Sequence, residues 1–92
     1  MAKSMKSLSK NFILHIIRET TRLHQRVRIK YRKSSGRVVF RNVAFYSMRA
    51  DCLFGTDTKH GNKKIRSYST NSIISAKPLV TTHFQPEWEI TL

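Results

Sequence analysis

Five acidic residues stand against 18 lysines and arginines in this 92-residue chain, which has one cysteine, three glycines and no apolar stretch of bilayer length. Each scarcity excludes a class of protein. Cys52, alone, has no partner for an intramolecular disulfide, which fits a reducing compartment and makes the cytoplasm the expected location. Short apolar runs leave no transmembrane helix. The three glycines form no phosphate-cradling loop. Asp51 and Asp57 flank a short apolar segment and do not pair as acid and base. His15, His24, His60 and His83 lack metal-ligand spacing, and one cysteine does not furnish a structural zinc site. Cys52 reads as a small core hydrophobe rather than a nucleophile. The expectation is therefore no enzyme, no cofactor and no metal.

What is present is charge and enough apolar mass for a core. The formal net charge is +13, with a pI near 10.8. Such an imbalance opposes compaction by self-repulsion and points to an anionic partner, with nucleic acid first, then anionic lipid, then an acidic protein surface. A hydrophobic content of 39%, with five Phe, three Tyr and one Trp, suits one small domain and not a disordered tail.

The most telling stretch runs from Arg26 to Arg32, where apolar and basic residues alternate without interruption. On a strand, successive side chains point to opposite faces, so Val27, Ile29 and Tyr31 enter a core. Arg26, Arg28, Lys30 and Arg32 then form a row of cations on the other face. A helix would scatter those charges around its circumference.

Along the chain, residues 1–7 read as a flexible, basic N-terminus. Its composition overlaps a transit peptide, but removing it would strip core material from a small domain, so it is taken as the flank of a surface helix. From Leu8, the positions Leu8, Phe12, Ile13, Ile16, Ile17 and Leu23 follow helical spacing, with Leu14 off the main stripe. Ser7 or Ser9 is placed to cap the helix. Ser34-Ser35-Gly36 supplies a turn, and residues 37–43 a second strand in which the pair Val38-Val39 suggests a bulge. Phe45 to Met48 leads into a bend, followed by strands at 52–54, 64–68 and 73–77, with a loop over 58–63 and Pro78 at the last strand's edge or end. The predicted fold is α+β, an N-terminal helix packed on a strongly bent five-stranded antiparallel sheet or small barrel over residues 8–80. Residues 81–92 carry no Lys or Arg and form a C-terminal tail whose Trp88 is expected to fold back on the barrel, because a small core gains much from one Trp.

The region from Ile29 to Leu79 resembles a divergent WYL domain, an Sm-like small barrel of bacterial and phage regulators. The similarity is carried by Ile29-Lys30-Tyr31, Ser35-Gly36, Arg41-Asn42-Val43, Leu53, Arg66-Ser67-Tyr68 and Ile73, with a helix just before the first strand. Asp51-Cys52-Leu53 stands where the family has Trp-Tyr-Leu, Ser72 replaces a second arginine, and Ala44-Phe45 replaces a proline. The resemblance implies a stand-alone module that senses nucleic acid or a nucleotide through basic residues, with Arg41 and Arg66 as anion contacts and Tyr31 and Tyr68 as packing or stacking groups.

The expected function is thus a non-catalytic regulatory binding module whose basic strand face takes nucleic acid or a nucleotide-type anionic ligand. Its candidate site residues are Arg26, Arg28, Lys30, Arg32, Arg41, Arg66 and Tyr68, with Lys59, Lys63 and Lys64 as a secondary basic loop. The alternative is a small phage-type protein that binds and inhibits or redirects an acidic host protein. Exposed edge strands allow a homo-oligomer.

Overall fold

Alternation in the first strand carries through to the three-dimensional structure, a computed structural model that describes residues 9–59 and 64–92. In β1, Arg26–Arg32, Val27 and Ile29 are fully buried while Arg28 and Arg32 are exposed. β1 lies between β2, Val38–Arg49, and β5, Ile73–Leu79, and the sheet continues through β3, Cys52–Asp57, to β4, Arg66–Ser69. The order is β4-β3-β2-β1-β5 with every pairing antiparallel. One helix, α1, Lys10–Arg22, packs on β5, β1 and β2. The architecture is the α+β arrangement expected from the sequence.

The sheet curls strongly. Tyr31 on β1 meets Tyr68 on β4 edge-to-face at 5.5 Å, although two strands separate them in the sheet order. The curl is built at a bulge in β2, where the pairing with β3 slips between Phe45 and Ser47 and leaves Tyr46 as the extra residue. This corrects the expected bulge at Val38-Val39, which pair in regular register with Arg32 and Tyr31. Because bulges bend a strand without ending it, β2 continues past Val43 to Arg49. Gly55 lies opposite Phe45 at the bulge. A Cβ there would stand 2.5 Å from the Ala44 carbonyl oxygen and 2.8 Å from Val43 Cγ1, so the close approach requires glycine.

Ser9 caps α1, its hydroxyl accepting the Phe12 N–H at 3.2 Å. The helix ends in a Schellman arrangement: His24, at φ 56°, donates its N–H to the Thr21 carbonyl and Gln25 donates to that of Thr20. Ile13 and Ile17 are buried against Val27, Ile29, Val43, Phe45, Leu53 and Tyr68. Phe12 and Leu23, placed on the apolar stripe by their spacing, are instead 50% and 54% exposed. The buried face of the helix is completed by Thr20 and Thr21.

In the C-terminal segment Phe84 and Ile90 pack with Ala44 and Tyr46 on the other side of the sheet, and Leu92 returns to the helix-side core. Trp88 packs edge-to-face on Tyr46 at 5.3 Å, Phe84 does so at 5.6 Å, and the Glu87 N–H donates to the Tyr46 hydroxyl. The Phe84 N–H donates to the His24 carbonyl, tying the segment to the helix end. Residues 1–7, Leu8 and the loop lysine Lys63 lie outside the described residues. No described helix is long and apolar enough to cross a membrane.

Candidate functional site

Residues opposite one another in antiparallel strands share a face, so the register assigns every candidate to one side of the sheet. Arg28 lies opposite Asn42 on β2 and Lys77 on β5, Lys30 opposite Phe40 and Ser75, and Arg32 opposite Val38. These form the outer face. On the inner face, Arg41 lies opposite Ile29, Arg66 opposite Gly55, Tyr68 opposite Leu53 and Asp57 opposite Val43. The candidates read from the sequence as one basic face therefore occupy two, on opposite sides of the sheet.

On the inner side, Arg41, Arg66, Tyr31 and Tyr68 converge with Lys33, Ser34 and Asp57 around an open cleft of about 320 Å³. Paired strands and one turn position them. Arg41 and Arg66 project from β2 and β4, both half-buried, and Arg41 Nη1 donates to the Phe40 carbonyl at 2.9 Å. Lys33 and Ser34 come from the β1–β2 turn, closed by Gly36 at φ 91° and by the hydrogen bonds Lys33 N–H to Arg37 O and Gly36 N–H to Lys33 O. Tyr68, also packed on Phe45, donates its hydroxyl to Asp57 Oδ2 at 2.5 Å. Asp57 is 1% exposed. Burial, then the bond to Asp57 and its charge, push the Tyr68 pKa well above the usual phenol range, while the charges of Arg66 and Arg41 act the other way. The cleft thus has a cationic rim and a carboxylate–phenol pair set below it.

Asp57, Lys33 and Ser34 are absent from the sequence-derived site. Asp57 carried a usable signal: Leu53, Gly55 and Asp57 alternate on one strand, so the carboxylate shares the face of a core leucine and must find donors there. Ending that strand at Phe54 hid the pattern.

The outer face is built differently. The Arg28 guanidinium stands over the Phe40 ring, 4.6 Å from its centroid, and Nη1 donates to Asn42 Oδ1 at 3.3 Å. Arg28, Arg32 and Lys77 are exposed and Lys30 is half-buried. Arg26 departs from the expected exposed row. It is half-buried, 5.9 Å from the centroid of Phe84, because the C-terminal segment covers that end of β1. Burial lowers its pKa, opposed by Tyr46 and Asp57. Lys59 and Lys64 are exposed on either side of residues 60–63 and do not line the cleft. Surface ion pairs join Lys10 to Asp51 and Arg22 to Glu19, away from both faces.

Among the described residues, no group of three or more His, Cys, Asp or Glu side chains is placed to hold a metal ion. No protein-family model matches the chain, and no curated protein matches it. In structure it is similar to proteasome accessory factor B/C (PafBC) of Arthrobacter aurescens, with a TM-score of 0.73 and 21% identity. The match covers 94% of this chain and 14% of that one, so the chain spans a small part of the larger protein's length. The likeness is one of fold, in keeping with the WYL-like resemblance read from the sequence, and the two sequences are divergent.

Proposed function

We propose that this domain is a non-catalytic, regulatory binding module of the cytoplasm whose cleft takes a nucleotide-type ligand, free or as part of a nucleic acid. One observation carries the reading, the convergence of Arg41, Arg66 and Lys33 on a cleft lined by Tyr31 and Tyr68. Guanidinium groups bind phosphate through paired N–H donors, and half-buried ones do so in a weakened dielectric. The Tyr31 ring offers an aromatic wall for a base. Asp57 narrows the chemistry further. Its buried negative charge, held by the Tyr68 hydroxyl, opposes phosphate at the floor and leaves the rim, on Arg41, Arg66 and Lys33, as the place for it, so a ligand that carries a less charged portion beside its phosphate suits the cleft better than a simple anion. The WYL-like fold supports a regulatory role, and the cleft volume is near the lower end for small-molecule sites.

Thermal unfolding with added ADP, GTP or inorganic phosphate tests the reading. A nucleotide at about a hundredfold its Kd stabilises the folded state by about 2.7 kcal/mol. The melting temperature is expected to rise with a nucleotide, to rise less with inorganic phosphate, and to lose the nucleotide shift in an Arg41→Gln/Arg66→Gln variant. Equal shifts in that variant and the parent would place the ligand elsewhere.

A further inference from the structure

The outer face has a composition that the cleft does not explain. Phe40 is 51% exposed on the stretch of β2 that pairs with β1 alone, opposite Lys30 and beside the other outward cations of that strand. An aromatic ring left in water on a rigid strand forgoes the burial that normally places it in a core. Here Arg28 covers part of the ring, Lys30 stands directly opposite it, Arg32 is the next outward cation along β1, and Lys77 lies beyond Arg28 on β5. Outward side chains on one strand repeat at about 6.8 Å. That spacing is comparable with the separation of neighbouring phosphates in an extended single strand.

We propose that this outer face is a docking surface for single-stranded nucleic acid, with Phe40 and the Arg28 guanidinium as the stacking platform and Lys30, Arg32 and Lys77 as phosphate contacts. Every base has a π-face, so a ring flanked by cations binds single strands with little regard to sequence. The guanidinium, 4.6 Å from the Phe40 ring centroid, extends the platform, because bases stack on arginine planes as well as on rings. Paired bases in a duplex keep their faces inside the stack, leaving only the phosphates for this surface to touch. A formal net charge of +13 supplies the long-range attraction. The surface lies across the sheet from the cleft and does not rest on the cleft's role.

Fluorescence anisotropy with a labelled oligothymidylate of about ten bases, within the usual site size of such platforms, tests it. Phe40→Ala is expected to weaken binding about tenfold, and Phe40→Trp to retain it. Phe40 is exposed, so circular dichroism should report an unchanged fold. Arg28→Glu/Lys30→Glu should lower the dependence of log K on log salt by about 0.7 for each phosphate that is no longer neutralised. The Phe40→Ala factor should persist in the Arg41→Gln/Arg66→Gln background, since distant sites act additively. Three results would overturn the proposal: Phe40→Ala binding within twofold of the parent, duplex bound as tightly as single strand, or a Phe40 effect that vanishes when the cleft arginines are removed. The nucleotide melting shift reads the cleft separately, so either site can fail without the other.

Discussion

Arg28 and Arg41 sit on paired strands, one register step apart, yet their side chains leave the sheet in opposite directions. Arg28 lies exposed over a phenylalanine and donates a hydrogen bond to Asn42 Oδ1. Arg41 is half-buried at the rim of a cleft with a fully buried carboxylate and a buried tyrosine beneath it. The same residue type is thus surface chemistry on one side and part of the folded interior on the other. Inner-face changes should alter stability and binding together, whereas outer-face changes should alter binding alone.

The sharpest way to break the contrast is at the bend that aligns the inner residues. Gly55→Ala drives a methyl group into the backbone of β2, a clash expected to cost about 3 kcal/mol, measurable by denaturant unfolding. Full parental stability would mean that the bulge gives way easily. Next in size is the pair below the cleft. Tyr68→Phe removes a hydrogen bond to a carboxylate and should cost about 2 kcal/mol.

The same pair sets an alkaline limit. The folded state holds the Tyr68 proton to a higher pH than the unfolded chain does, so between about pH 10 and the folded pKa the native form binds more protons. This contribution is complete below the unfolded phenol pKa and is lost as pH rises above it, by up to about 1.4 kcal/mol per pH unit. Stability measured from pH 9 to 11 should fall more steeply in the parent than in Tyr68→Phe. Parallel slopes would remove Tyr68 as the cause. The smallest effect belongs to the outer face, where Arg28→Ala should change stability by less than about 1 kcal/mol while weakening polyanion binding. A larger loss of stability would show that the outer cations also hold the fold together.

How much of this could be read beforehand depended on uninterrupted periodicity. β1 was legible because its cations and apolar residues alternate without exception, and the helix cap was legible as Ser7 or Ser9, of which the structure uses Ser9. β2 was not. Its alternation is broken by Val38-Val39-Phe40, of which Val38 and Phe40 are exposed, and by the bulge at Tyr46, which shifts the parity of everything after it. Without β2's register nothing in the sequence separates Arg41 from Arg28. Arg26 and the helix residues Phe12 and Leu23 fell to tertiary context. A strand pattern does not show that Phe84 will cover one cation, and helical spacing does not say which part of an apolar stripe faces the sheet. The WYL-like resemblance did what pattern could not, since it linked Arg41 and Arg66, which the curl of the sheet brings to one cleft.

Amide chemical-shift mapping by NMR, with ADP in one titration and the oligothymidylate in another, separates the two faces most directly. Two sites predict that ADP moves the signals of Tyr31, Lys33, Arg41 and Arg66, and that the oligonucleotide moves those of Arg28, Lys30, Phe40 and Lys77. A single shared set of shifted residues for both ligands would contradict that division.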